Sequence, residues 1–253
     1  MLYNINMMDL VYAVKPDEFN EELRYSLRSV AKNLPHGRVF ISGYMPPFLD
    51  PNVCRHIDSY GKALPFDPRN SRHRNRYQDA EANWIGACTD ERVSNNFIMM
   101  NDDFFIIKPI KEVPMYHDGD LKEAINRRIK RFGKVQYALS LRNTYDYLAN
   151  HGYTDIKSYA LHVPMVMNKK KRLKISELQC EMLKHGNVIL ARTLYGNIFH
   201  VGGTEIEDVK VSSWRKDIPD DPTFLSTNNH SFESGDVGKY VRERFPDKCI
   251  YEL

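Results

Sequence analysis

The sequence predicts an α/β fold: a sheet flanked by helices, with a helical insertion over roughly residues 115–158. Three observations predict it. Strand and helix patterns alternate from the start of the chain, the signature of a β-α-β sheet. The run Ser94–Ile107 is apolar except at its centre, Asn101-Asp102-Asp103, as in a covered strand that surfaces at its end. No repeat or low-complexity linker divides the 253 residues, so 1–253 is expected to form a single domain with a substantial core.

Met8–Val14 reads as the first strand, closed by Lys15-Pro16-Asp17. Asn20–Leu34 carries Leu23, Leu27, Val30 and Leu34 at helical spacing, with acidic residues in its first turn and Pro35 and Gly37 after it. Arg24 and Arg28, four apart, share a face away from that stripe, which spacing alone reads as solvated. Arg38–Gly43 is a second strand that completes a β-α-β unit. Tyr44–Asp67, rich in proline and polar residues, shows little regular pattern. Arg69–Arg76 reads as a basic loop and Asp79–Thr89 as the helix that leads into the acidic strand.

Further on, Asp120–Phe132 is an amphipathic helix whose terminal Arg127, Arg128, Lys130 and Arg131 complement its dipole. Leu139–Leu148 reads as another helix. Tyr159–Pro164 reads as a short strand bearing His162, and Lys169–Arg172 as a basic run leading into a helix over Ile175–Lys184. Val188–Leu194 resembles a strand, Phe224–Asn229 a strand-to-turn, and Val237–Phe245 a final helix.

Composition narrows the function classes. A net charge of +3 is too small to imply nucleic-acid binding by itself. Cys54, Cys88, Cys180 and Cys249 lie far apart with no CxxC pair, which suits neither a zinc site nor a disulfide framework and points to a reducing compartment. The N-terminus lacks a signal-peptide pattern, and no run approaches the roughly 18 apolar residues of a membrane span. A soluble, cytoplasmic protein is expected.

The chemistry concentrates at Asn101-Asp102-Asp103. Adjacent carboxylates in an apolar run are costly to desolvate unless a divalent cation or basic side chains meet them. Strands of α/β sheets present functional groups at their carboxyl ends, so the triplet is expected there, facing a metal-bound ligand. The plainer reading is a tight turn in which Asp102 caps the next segment. The arginines of Arg69–Arg76 could hold a phosphate-bearing ligand or form an ordinary exposed loop. A lone histidine such as His162 is more often structural than catalytic and needs outside support.

That support comes from a resemblance. Glu22-Leu23-Arg24-Tyr25-Ser26-Leu27-Arg28-Ser29, then Glu81-Ala82-Asn83 ahead of Asn96–Phe105, then His162-Val163-Pro164 with Ser176-Glu177-Leu178, then Phe224–Asn229 with Arg244-Phe245-Pro246 form ordered islands. Together they resemble the Stealth proteins, sugar-1-phosphate transferases of bacterial capsule synthesis related to the lysosomal-enzyme N-acetylglucosamine-1-phosphotransferase. Two departures stand out. Ala13-Val14-Lys15-Pro16 replaces the family's Trp-Val-(Asp/Asn)-Gly turn, and Asn228-Asn229-His230 replaces a second Asn-Asp-Asp.

The resemblance implies a GT-A-like nucleotide-binding sheet and a nucleotide-diphosphate sugar donor, a UDP-sugar foremost. It implies Mg²⁺ or Mn²⁺ on Asp102 and Asp103, and His162, Arg192 and Asp103 as catalytic residues, with His162 the base. Arg24, Arg28, Arg76, Glu81, Asn83, Asn101 and Asn228 are the expected substrate-binding residues. The acceptor is a glycan hydroxyl in the leading reading. An alternative is a hydroxymethylated base of DNA, since Arg69–Arg76, Arg127–Arg131 and Lys169–Arg172 could track phosphates. A second alternative is a non-catalytic sugar-nucleotide binding protein.

Overall fold

The structure, a computed structural model, describes residues 7–59, 72–133, 135–212 and 218–253. The chain opens with β1 (Asp9–Val14), α1 (Glu21–Asn33), β2 (Val39–Gly43), β3 (Cys54–Ile57) and α2 (Arg72–Thr89). Then come β4 (Asn96–Met100), β5 (Phe104–Ile106), β6 (Tyr116–His117), α3 (Leu121–Phe132) and α4 (Gln136–Asn150). After these follow β7 (Met165–Asn168), α5 (Lys169–Lys184), α6 (Ala191–Ile198), β8 (Thr204–Glu205), β9 (Phe224–Ser226), α7 (Asn229–Ser234) and α8 (Asp236–Arg244).

The central sheet has the order β3-β2-β1-β4-β7. β1 pairs in parallel with β2 and β4, and β2 with β3, while β7 runs antiparallel beside β4. Alternation along the strands divides the core. Leu10, Tyr12, Ile98 and Met100 pack with Leu23, Leu27 and Val30 of α1. Val11, Phe97 and Met99 face the other way, toward Trp84 and Ala87 of α2, Ile175 of α5 and Leu194 of α6. Both faces are covered, which is why the strands read as nearly continuous apolar runs.

The apolar run after Met100 does not stay in this sheet. The chain turns at Asp102-Asp103 and re-emerges as β5, which pairs with β9 in a separate two-stranded sheet. A polar stripe on α1 fixes β5. Ser26 Oγ donates to the Phe104 carbonyl at 2.5 Å, Ser29 Oγ accepts the Ile106 N–H at 3.0 Å, and Asn33 Nδ2 donates to the Ile106 carbonyl at 2.7 Å.

The structure corrects several expectations. A short strand, β3, lies in the segment read as patternless, and α2 begins at Arg72, inside the stretch read as a basic loop. Residues 69–71 and the side chain of Arg76 lie outside the described residues. The strand expected at Tyr159–Pro164 forms instead at Met165–Asn168, because Pro164 cannot donate to a ladder. Val188–Leu194 is no strand: α6 starts at Ala191. Lys169–Arg172 is the first turn of α5, capped by Asn168, whose side chain accepts the Lys171 N–H.

Candidate functional site

β1, β2 and β4 are parallel and therefore end on one edge of the sheet; antiparallel β7 begins on that same edge. The ladder stops at Met99↔Met165, so Asn101-Asp102-Asp103 leaving β4 and His162-Val163-Pro164 entering β7 meet there. Asn101 closes the turn, its carbonyl accepting the Phe104 N–H at 3.3 Å.

Asp102 and Asp103 have different surroundings. Asp102 Oδ2 accepts from Asn20 Nδ2 at 3.0 Å, and Asn20 is also the N-cap of α1, accepting the Leu23 N–H. Burial and the neighbouring Asp103 raise the Asp102 carboxyl above its ordinary range, and Lys15 at the end of β1 opposes the shift. Asp103 Oδ2 takes Lys210 Nζ at 2.9 Å and Ser226 Oγ at 3.3 Å. Its Oδ1 is buried without a hydrogen-bond partner among the described residues. A third acid, Glu22, lies behind them. Burial first, then Asp103 and Asp102, push it up to about 7, although the Thr227 hydroxyl donates to it.

His162 faces this cluster as part of a dyad. Its Nδ1 lies 2.8 Å from Asp208 Oδ2, and its backbone N–H donates to Asp208 Oδ1 at 3.0 Å. His162 keeps 29% of its side chain exposed, so it is not a core residue. With the Nδ1 proton directed to the carboxylate, Nε2 is left as the acceptor. The ring meets Phe104 edge-on at 6.3 Å between centroids.

The guanidinium of Arg192, in the first turn of α6, lies 5.8 Å from the centre of the same Phe104 ring. Its Nε and Nη1 are buried without a hydrogen-bond partner among the described residues. Burial lowers it to about 10, with Asp208, Tyr137 and Asp103 acting in the opposite direction. A desolvated guanidinium with two donors unused suits an anionic oxygen.

The other expected residues lie elsewhere. Arg24 and Arg28 both bind Glu252 near the C-terminus, at 3.1 and 2.7 Å. Glu81 forms an ion pair with Arg172 at 2.7 Å in the core between α2 and α5. Asn228 caps α7 through the Ser231 N–H and donates Nδ2 to the Ser212 carbonyl. Asn83 does reach the sheet edge: its Nδ2 donates to the Val14 carbonyl, and its carbonyl accepts from Ser42 Oγ. Gly43 there has φ +100, and a Cβ on it would lie 2.5 Å from Asn83 Nδ2. Asn20, Glu22, Asp208 and Lys210 were not singled out from sequence as site residues. The one signal for the last two is the alternation Asp208-Val209-Lys210-Val211.

Among the described residues no group of three or more His, Cys, Asp or Glu side chains is arranged to hold a metal ion. Mg²⁺ ordinarily takes only one or two carboxylates together with phosphate oxygens and water. Asp102 and the unpartnered Oδ1 of Asp103 fit such a shared site.

The fold is similar to that of LgtC. In the crystal structure of an active-site mutant of LgtC, 95% of that chain aligns with 94% of this one at 12% identity and a TM-score of 0.52. The galactosyltransferase LgtC in complex with donor and acceptor sugar analogs aligns over 94% of each chain at 13% identity, with a TM-score of 0.49. The glycosyltransferase GlyE of Streptococcus pneumoniae TIGR4 matches 79% of this chain and 44% of its own at 9% identity, with a TM-score of 0.38. No family model and no curated relative matches the chain. What the likeness to LgtC shows is the fold: a mixed α/β chain with a mostly parallel sheet flanked by helices.

Proposed function

We propose that the chain is a glycosyltransferase that takes a nucleotide-diphosphate sugar, a UDP-sugar foremost, and transfers sugar or sugar-1-phosphate to a glycan hydroxyl. One observation carries the reading: Asp102-Asp103, the His162–Asp208 dyad and the underpaired Arg192 converge at the carboxyl edge of the sheet. The fold shared with LgtC supports it. Lys15 just after β1, Gly43 at the end of β2 and Asn83 of α2 lie at the same edge, with Lys15 close enough to act on Asp102 electrostatically.

His162 Nε2 takes the proton of the attacking hydroxyl, while Asp208 holds the ring and stabilises the imidazolium. Arg192 offsets negative charge on the phosphate oxygens. Asp102 and Asp103 would hold Mg²⁺ or Mn²⁺, which when bound neutralises charge on the diphosphate. Attack of the acceptor oxygen at the anomeric carbon breaks the sugar–phosphate bond and releases the nucleoside diphosphate. Attack at the sugar-bearing phosphorus breaks the pyrophosphate and releases the nucleoside monophosphate. A DNA acceptor draws less support, because Arg172 is fully buried on Glu81 and Lys169 is spent on the Asp90 and Val93 carbonyls.

The test incubates the protein with nucleotide sugars, Mn²⁺ or chelator, and glycan or hydroxymethylated DNA acceptors, with mass spectrometry of all products. A glycan gaining sugar, or sugar plus phosphate, only with metal supports the reading. Turnover of no nucleotide sugar under any condition overturns it.

A further inference from the structure

A second concavity lies beside this site. It is an open cavity of about 730 Å³ formed by the segment after α4, the end of α6 and the loop that follows, with His117 of β6. Its walls are fixed. The ring of Tyr159 packs against Gly196 so closely that a Cβ there would lie 2.2 Å from it. The Tyr159 hydroxyl donates to the Gly202 carbonyl at 2.9 Å. Gly203 has φ +124, and a Cβ on it would lie 2.6 Å from the Met115 carbonyl oxygen, so the loop reaches its position only with glycine there. His200 itself holds φ +49, a conformation non-glycine residues seldom adopt.

The cavity joins apolar ring faces to polar edges. Tyr153 and His200 lie with centroids 6.1 Å apart and planes tilted by 34°. Neither the Tyr153 hydroxyl nor the His200 ring has a hydrogen-bond partner among the described residues. The one lysine on the wall, Lys157, is paired with Asp155 at 2.9 Å, so no unpaired acid or lysine faces the space among the described lining residues. Flat rings with unused polar edges and little fixed charge match a pyranose, which presents an apolar C–H face and a rim of hydroxyls.

Position assigns the saccharide to the acceptor. Tyr159 on the cavity wall and His162 are three positions apart, a reach of at most about 10 Å. The loop through Gly203 continues by way of β8 to Asp208, so both members of the dyad are tethered to the cavity. In the sheet order β7, with His162 just before it, lies on the far side of β4 from β1 and β2, whose ends, with Lys15 and Gly43, are left to the donor in the proposed reading. We infer that the cavity bordered by Tyr153, Tyr159 and His200 binds a neutral saccharide unit of the acceptor and directs the next hydroxyl toward His162. The acceptor assignment rests on the glycosyltransferase reading.

Direct binding tests this without donor or turnover. Saturation-transfer NMR with maltotriose, chitotriose and mannotriose is run on the wild type and on Tyr153→Ala, Tyr153→Phe and His200→Ala, each checked by thermal melting. Binding of at least one trisaccharide, weakened about tenfold or more in Tyr153→Ala and His200→Ala and less in Tyr153→Phe, which keeps the ring face and loses only the hydroxyl, supports the inference. Tyr153→Phe keeps the ring and guards against a folding defect. No binding to the wild type, or equal binding to all four proteins, overturns the inference and leaves the donor reading standing. Conversely, if no nucleotide sugar is turned over, trisaccharide binding still decides whether the cavity is a saccharide site.

Discussion

Asp208 grips His162 twice, accepting from the backbone N–H through Oδ1 at 3.0 Å and lying 2.8 Å from the imidazole Nδ1 through Oδ2. One carboxylate thereby fixes both the chain leading into β7 and the orientation of the ring. General-base catalysis typically contributes about 10²–10⁴ in rate. His162→Ala and His162→Gln are therefore expected to lose at least about a hundredfold in single-turnover transfer, with donor affinity unchanged. Asp208→Asn retains one acceptor for two donors and should lose less, with no further loss when combined with His162→Gln. A His162→Gln protein that melts lower yet transfers at the wild-type rate would return the residue to a structural role.

The two acidic neighbours should separate by stability although both are needed for transfer. Asp102 is raised by burial and by Asp103, so Asp102→Asn removes repulsion and should raise the melting temperature of the metal-free protein. Asp103→Asn instead breaks the ion pair with Lys210 and should lower it. Either variant, like chelator, is expected to cut transfer more than about a hundredfold. Mn²⁺ with UDP should raise the wild-type melting temperature and leave both variants unmoved. Full activity in chelator would remove the cation from the reading.

Glu22 sets a pH dependence. Burial and the acidic pair raise its carboxyl from 4.5 to about 7. Below pH 4.5 it is protonated in both folded and unfolded chains. Between pH 4.5 and about 7 the folded chain keeps a proton that the unfolded chain has lost, so stability falls as pH rises through that window. The loss is on the order of 3 kcal/mol. Glu22→Gln should match the wild type in thermal melts at pH 4 and exceed it by several degrees at pH 8. Parallel melting curves across that range would refute the assignment.

How much was readable from sequence followed from how local the cause was. β1, α1, β2, α3 and α8 follow from periodicity and caps within a few residues of the chain. β3 escaped because its exposed Arg55 and His56 interrupt a four-residue edge strand. The segment before β7 looked like a strand, but side chains elsewhere bond its backbone, such as Thr193 Oγ1 accepting the Tyr159 N–H. In the site, Asp102 and Asp103 announced themselves by breaking an apolar run. Asp208 and Lys210 did not, since their partners His162 and Asp103 lie 46 and 107 residues away.

Arg28 shows the same limit from the other side, since helical spacing placed it on a solvated face and it is only 8% exposed. Its Nε and Nη2 donate to both carboxylate oxygens of Glu252, at 2.7 and 2.8 Å, and its Nη1 donates to the Phe245 and Pro246 carbonyls. The Glu252 side chain is fully buried and also accepts from Arg24 Nη1 and the Cys249 N–H. These bonds tie the C-terminal segment to α1. Removing the guanidinium would strand a buried carboxylate, so Arg28→Met is expected to lose about 3–5 kcal/mol in denaturant unfolding. Arg24→Met, which leaves the bidentate pair intact, should cost about 1 kcal/mol or less. Because an apolar pair of similar volume is often neutral against a buried ion pair, Arg28→Met with Glu252→Leu should recover most of the loss. If Arg28 instead binds the donor, its Met variant would raise the donor KM and the second substitution would not restore it. Measuring donor KM below the melting temperature beside the unfolding curves of all three proteins separates the two roles.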